Sequence, residues 1–168
     1  ILLRGARQVG KSTAVRHLGE QFEQYVEINL ERHPQYKTAF QNDLNVSRII
    51  SEISALAQRR IEPGRTLLFI DEIQECPEAI MSLRFFKEDM PNLHVVAAGS
   101  LLEFALNELP TFGVGRIHSV FMHPMTFDEF LLAAGEELLL EARNAASPLS
   151  PLASPLHDKL VGLLRTYM

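Results

Sequence analysis

Along the chain, short and almost continuously apolar runs alternate with longer stretches in which apolar residues recur every three or four positions. A strand covered on both faces has no polar side, whereas an amphipathic helix keeps one. The alternation therefore predicts a parallel sheet whose strands are joined by crossover helices. Strands are expected at 1–4, 25–30, 66–71, 93–98 and 116–122, with 66–71 and 93–98 central because they are the most uniformly apolar. Helical stripes appear at Ala14, Val15, Leu18 and Phe22, and again at Ile49, Ile50, Ile53, Leu56 and Ala57. A third helix, near 77–88, opens on Pro77, which suits a first turn where no N–H is needed. A fourth begins at Thr126, with Glu129 three residues on in a capping-box pattern ahead of Phe127, Phe130, Leu131 and Leu132.

Beyond residue 143 the texture changes to repeated Ser-Pro-Leu triplets at 147–149, 150–152 and 154–156. Proline this dense disfavours both helix and sheet, so 144–156 is expected to be an extended connector. It would separate an α/β core at 1–143 from a helix that starts at 157 and is cut short at Met168. A length of 168 residues suits one domain with a substantial core. Because Ile1 enters a core strand at once, a natural amino-terminal segment is expected to precede it.

Composition narrows the classes of partner. The net charge of −5 gives no general attraction to nucleic acid or to an anionic membrane. No apolar run reaches the length of a membrane span and no signal peptide is visible, so no membrane partner is expected. One cysteine, Cys76, cannot form an internal disulfide, which fits a cytoplasmic protein. The six histidines lack metal-ligand spacing, and no zinc site is expected.

Residues Gly5, Ala6, Arg7, Gln8, Val9, Gly10, Lys11, Ser12 and Thr13 read GxxxxGK[ST] between a strand and a helix. Such a loop wraps backbone N–H groups around the phosphates of a nucleotide, helped by the positive end of the helix that follows. Lys11 would reach the terminal phosphates, and the Ser12 hydroxyl would hold Mg²⁺. The strand at 66–71 ends in Asp71 and Glu72, at the sheet edge where open α/β folds bind ligands. Asp71 is expected near Mg²⁺, and Glu72 is expected to orient an attacking water towards the γ-phosphate. Ser100, after the strand at 93–98, either touches the γ-phosphate or caps a following helix. Arg116 either stabilises charge on the transferring group or is a solvated strand-end arginine, and Arg7 is similarly open.

The succession GARQVGKST, LLFIDEIQ, AAGSLLEF, VGRIHSVFMHPMTFDEFL and LLRTYM resembles a prokaryotic family of AAA-type P-loop ATP-binding proteins over nearly the whole chain. The resemblance implies a three-layer ASCE-type ATPase with a five-stranded sheet of order 5-1-4-3-2. It also implies a following helical segment and a C-terminal domain resembling restriction endonucleases. On this likeness Gly5 to Thr13 are similar to the Walker A loop, Asp71 and Glu72 to the Walker B acids, Ser100 to the first sensor and Arg116 to the arginine of a VGR motif. ATP and Mg²⁺ are the implied cofactors. The expected partners are the C-terminal domain and a second copy in a homo-oligomer, whereas nucleic acid is not supported by this segment. Three activities are weighed: Mg-dependent ATP hydrolysis gating an attached domain, a nucleotide switch with negligible turnover, and a small-molecule P-loop kinase. The last is disfavoured because a further apolar strand and Gly99-Ser100 follow the acidic pair.

Overall fold

A computed structural model of the chain describes residues 1–100, 102 and 117–168. These fall into two compact units, Ile1–His123 and Pro124–Met168.

The first unit is built on five strands, β1 (Leu2–Arg4), β2 (Gln24–Asn29), β3 (Thr66–Asp71), β4 (His94–Gly99) and β5 (Ser119–Phe121). They lie in the order β2-β3-β4-β1-β5, which is the expected 5-1-4-3-2 read from the other edge. Every pairing is parallel. All six residues of β3 are buried, as the apolar run at 67–70 requires of a strand covered on both faces.

Alternation along β3 sorts its side chains between two layers. Leu68 and Ile70 join Val26 and Ile28 of β2 beneath Ile49, Ile50 and Ile53 of α3 (Val46–Ala57) and Ile80, Leu83 and Phe86 of α4 (Pro77–Asp89), with Phe40 from the short helix α2 (Thr38–Gln41). On the opposite face Leu67 and Phe69 pack with Val96, Ala98 and Val15 of α1 (Lys11–Gly19), flanked by Leu18 and Phe22. Each of the Val, Leu, Ile and Phe side chains stabilises the fold by about 1.5–3 kcal/mol when fully buried. The sandwich of helices around the sheet is what holds the strand ends, and the residues just beyond them, in fixed register.

The second unit is helical, with α5 (Phe127–Ala133), α6 (Glu137–Ala145) and α7 (Ser154–Tyr167) around Leu131, Leu139 and Leu160. Both halves of the expected capping box form: Thr126 Oγ1 accepts from the Glu129 N–H at 3.2 Å, and the Thr126 N–H donates to Glu129 Oε2 at 2.7 Å. The Tyr167 hydroxyl donates to the Met125 carbonyl at 2.6 Å, while its ring lies against Phe127 and Phe130.

Two sequence expectations shift here. Contacts divide the chain at 123/124 and not after 143, because the apolar residues of α5 pack with those of α6 and α7. The closing helix starts at Ser154 and not at 157, since Pro155 occupies its first turn, where a missing N–H leaves no intrahelical bond unmade. Between α6 and α7, Ser147 and Ser150 exchange backbone hydrogen bonds of 3.0 and 3.1 Å in a tight turn, shortening the extended connector. Among the described residues, no helix is long and apolar enough to cross a membrane.

Candidate functional site

The loop joining β1 to α1 carries three residues at positive φ, Gly5 at +149°, Gln8 at +63° and Gly10 at +93°. Gly5 is demanded by contact as well as by conformation: a Cβ there would lie 2.2 Å from the Met122 carbonyl oxygen at the end of β5. Gly10 has no side chain with which to cap α1, so the helix opens with first-turn N–H groups available to an external anion. Ala6, Arg7, Gln8 and Thr13 are exposed, Val9 and Ser12 are half-buried, and Lys11 is buried. The Lys11 ammonium donates to the carbonyls of Gly5 at 2.9 Å and Ala6 at 2.6 Å. Burial pushes its pKa down, against the pull of Glu72 and Asp71.

Asp71 ends β3 on the same side of the sheet, and it is buried. Its Oδ2 accepts from the Ser12 hydroxyl at 3.0 Å and from Asn29 Nδ2 at 3.2 Å, while Oδ1 accepts the Glu72 N–H at 3.1 Å. Burial pushes this carboxyl above its ordinary pKa, the Ser12 hydrogen bond opposing and the negative charge of Glu72 adding to the rise. The hydroxyl of Ser12 and the carboxylate of Asp71 thus form a hard oxygen pair. That pair fits Mg²⁺, which takes few protein oxygens and keeps much of its water. Among the described residues no cluster of three or more His, Cys, Asp or Glu offers an all-protein metal cage.

Glu72 leaves the strand in the left-handed region, at φ 51° and ψ 47°, an uncommon conformation for a residue with a Cβ. Its carboxylate accepts from Gln74 Nε2 at 2.7 Å. Glu72 lines a cavity of about 340 Å³ together with Arg7, Gln8, Gly10, Lys11, Ser12 and Thr13. With Ser12 and Asp71 it also lines an adjoining one of about 410 Å³ walled by Arg16, Glu27, Asn29, Arg32 and His33. Ser100, directly after β4, is buried, and its hydroxyl accepts from Arg7 Nε at 3.3 Å. Arg7 therefore links the loop to the end of β4.

The structure brings Lys11, Ser12, Asp71 and Glu72 to one edge of the sheet and connects Ser100 to them through Arg7. Arg116 lies outside the described residues. Two residues at the site were not anticipated. Asn29 reaches Asp71 because β2 and β3 pair in parallel with these two residues as register partners. A polar residue one position before the end of the strand expected at 25–30 was its only signal. Gln74, two positions beyond Glu72, had none beyond that proximity. Cys76 is buried packing, as expected, its thiol pushed up to about 11 by desolvation.

Comparison with known proteins agrees with this architecture. The model of an AAA domain family matches residues 1–131. Among solved structures, the Orc1 protein of Aeropyrum pernix in complex with DNA is similar, with a TM-score of 0.50 and 15% sequence identity over 85% of this chain. The chain spans about half of that protein, 48% of its length, and the likeness is one of fold. No curated protein sequence matches it. Because the family match takes in the whole sheet and every described residue of the candidate site, the chain belongs to the AAA domain family.

Proposed function

We propose that this domain binds ATP with Mg²⁺ and hydrolyses it, using turnover to move or gate an attached C-terminal domain. The observation that carries the reading is the Ser12–Asp71 hydrogen bond of 3.0 Å beside a cavity of about 340 Å³ that Ser12, Lys11 and Glu72 line. In this reading the loop from Gly5 to Thr13 holds the phosphates, and Lys11 exchanges its two carbonyl partners for stronger, charge-assisted bonds to phosphate oxygen. Ser12 and Asp71 would hold Mg²⁺, which when bound neutralises charge building on the phosphates. Glu72 accepts a hydrogen bond from the attacking water and orients it, Ser100 contacts the γ-phosphate, and Arg116 stabilises the transferring charge within the chain or across a homo-oligomer contact.

The Orc1 structure is described as a complex with DNA. With a net charge of −5, this chain has no general electrostatic attraction to a polyanion, and DNA is no part of the proposal.

The test is phosphate release and ATP affinity in the unaltered chain and in Glu72→Gln. Retained Mg-ATP binding with turnover reduced about 100-fold or more supports hydrolysis oriented by Glu72. Tight binding without phosphate release in the unaltered chain would instead favour a nucleotide switch. Transfer to a metabolite faster than to water would favour a kinase.

A further inference from the structure

Gln74 sits in a 3-10 turn, Ile73–Glu75, anchored by the fully buried Ile73 and by Cys76 behind it. Its Nε2 donates to Glu72 Oε2 at 2.7 Å. An ionised carboxylate only accepts, so the amide nitrogen must face Glu72 and the amide oxygen must face away. Among the described residues, that oxygen is buried with no hydrogen-bond partner. It lies against Gly99 at the end of β4, where a Cβ would come within 2.3 Å of it. A buried acceptor left without a donor costs about 1–3 kcal/mol. A residue serving only to fill this turn would gain from being leucine or methionine instead.

We infer that Gln74 is a positioning residue that ties the Glu72 carboxylate to the end of β4, so that its orientation follows the Gly99–Ser100 backbone. The inference rests on the reading of Glu72 as the group that orients water. Ser100 in turn holds Arg7 of the loop, at 3.3 Å. A displacement of the loop or of Ser100 is thereby passed through Gly99 and the Gln74 amide to Glu72. The arrangement depends on residue 99 having no side chain, because only then can the amide oxygen sit against the strand end.

Two variants of the whole chain test this. Gln74→Met keeps the length and removes the donor, and Gln74→Glu keeps the shape but sets a second carboxylate against Glu72. Phosphate release (kcat and KM), affinity for a fluorescent ATP analogue and thermal melting are measured for each. In Gln74→Met the expected result is a Tm equal to or above that of the unaltered chain. KM and nucleotide affinity should stay within about twofold while kcat falls about tenfold, and Gln74→Glu should fall further. Under single-turnover conditions in a Glu72→Gln background, Gln74→Met should change the rate by less than about twofold, because the partner it positions is already gone. Gly99→Ala should lower kcat through the displaced amide and should not add to Gln74→Met.

A kcat within about twofold of the unaltered chain in both Gln74 variants overturns the inference, as does a loss that persists undiminished in the Glu72→Gln background. If Glu72→Gln abolishes turnover while the Gln74 variants keep it, this inference fails alone. If Glu72→Gln leaves turnover intact, the assignment of Glu72 fails and this inference with it.

Discussion

Gly5→Ala adds one carbon where, among the described glycines, there is least room for it. The new Cβ would lie 2.2 Å from the Met122 carbonyl oxygen and 3.2 Å from its carbonyl carbon, at a backbone φ of +149°. The obstacle is main chain, and it cannot swing aside as a side chain would. The Met122 N–H donates to the Arg4 carbonyl at 2.8 Å, so relief requires opening the β1–β5 edge at that bond. Backbone strain together with a weakened ladder bond should destabilise the unit by about 2–4 kcal/mol. For a chain of this size that is a fall in Tm of roughly 5–12 °C. Two alanines serve as references, measured by circular dichroism melting and urea titration. Gly64→Ala imposes positive φ, +82°, with no atom within 4 Å, so it should show conformational strain alone. Gly162→Ala, inside α7 with open space around it, should stabilise its helix by about 0.5–1 kcal/mol. If Gly5→Ala melts within about a degree of Gly64→Ala, the close approach of β5 to the loop is not a constraint and the reasoning fails.

Removing the capping hydroxyl in Thr126→Ala should cost the helical unit about 1 kcal/mol and speed amide exchange at the start of α5. An unchanged exchange rate at Glu129 would show that the cap contributes nothing. Burial raises the Cys76 thiol from an ordinary value of 9.0 to about 11. Between those values the unfolded chain has lost a proton that the folded chain retains. Stability should therefore fall as pH rises from 9 to 11 more steeply in the unaltered chain than in Cys76→Ala, with equal slopes below pH 8. Urea midpoints across that range check the difference, and parallel curves would refute it.

Contiguous signals were the legible ones. The phosphate-loop pattern lies within nine successive residues, and the capping box needs only Thr126 and Glu129, so each can be read without knowing what packs where. The strand β3 could be placed because burial on both faces leaves no polar position from Leu67 to Ile70. The sheet order came through the family resemblance, since periodicity identifies a strand and says nothing of its neighbour.

Tertiary structure decided whatever depends on residues far apart in the chain. Parallel register set Asn29 beside Asp71, and the approach of β4 to the turn after β3 buried the Gln74 amide oxygen against Gly99. Arg7 had equal claims on solvent and on a partner until the end of β4 supplied Ser100. The division at 123/124 likewise depends on which apolar faces meet, with Leu131, Leu139 and Leu160 choosing one another. Local sequence sets backbone preferences worth tenths of a kcal/mol to about one kcal/mol per residue, whereas burial and cross-strand pairing act between residues that only the finished fold brings together.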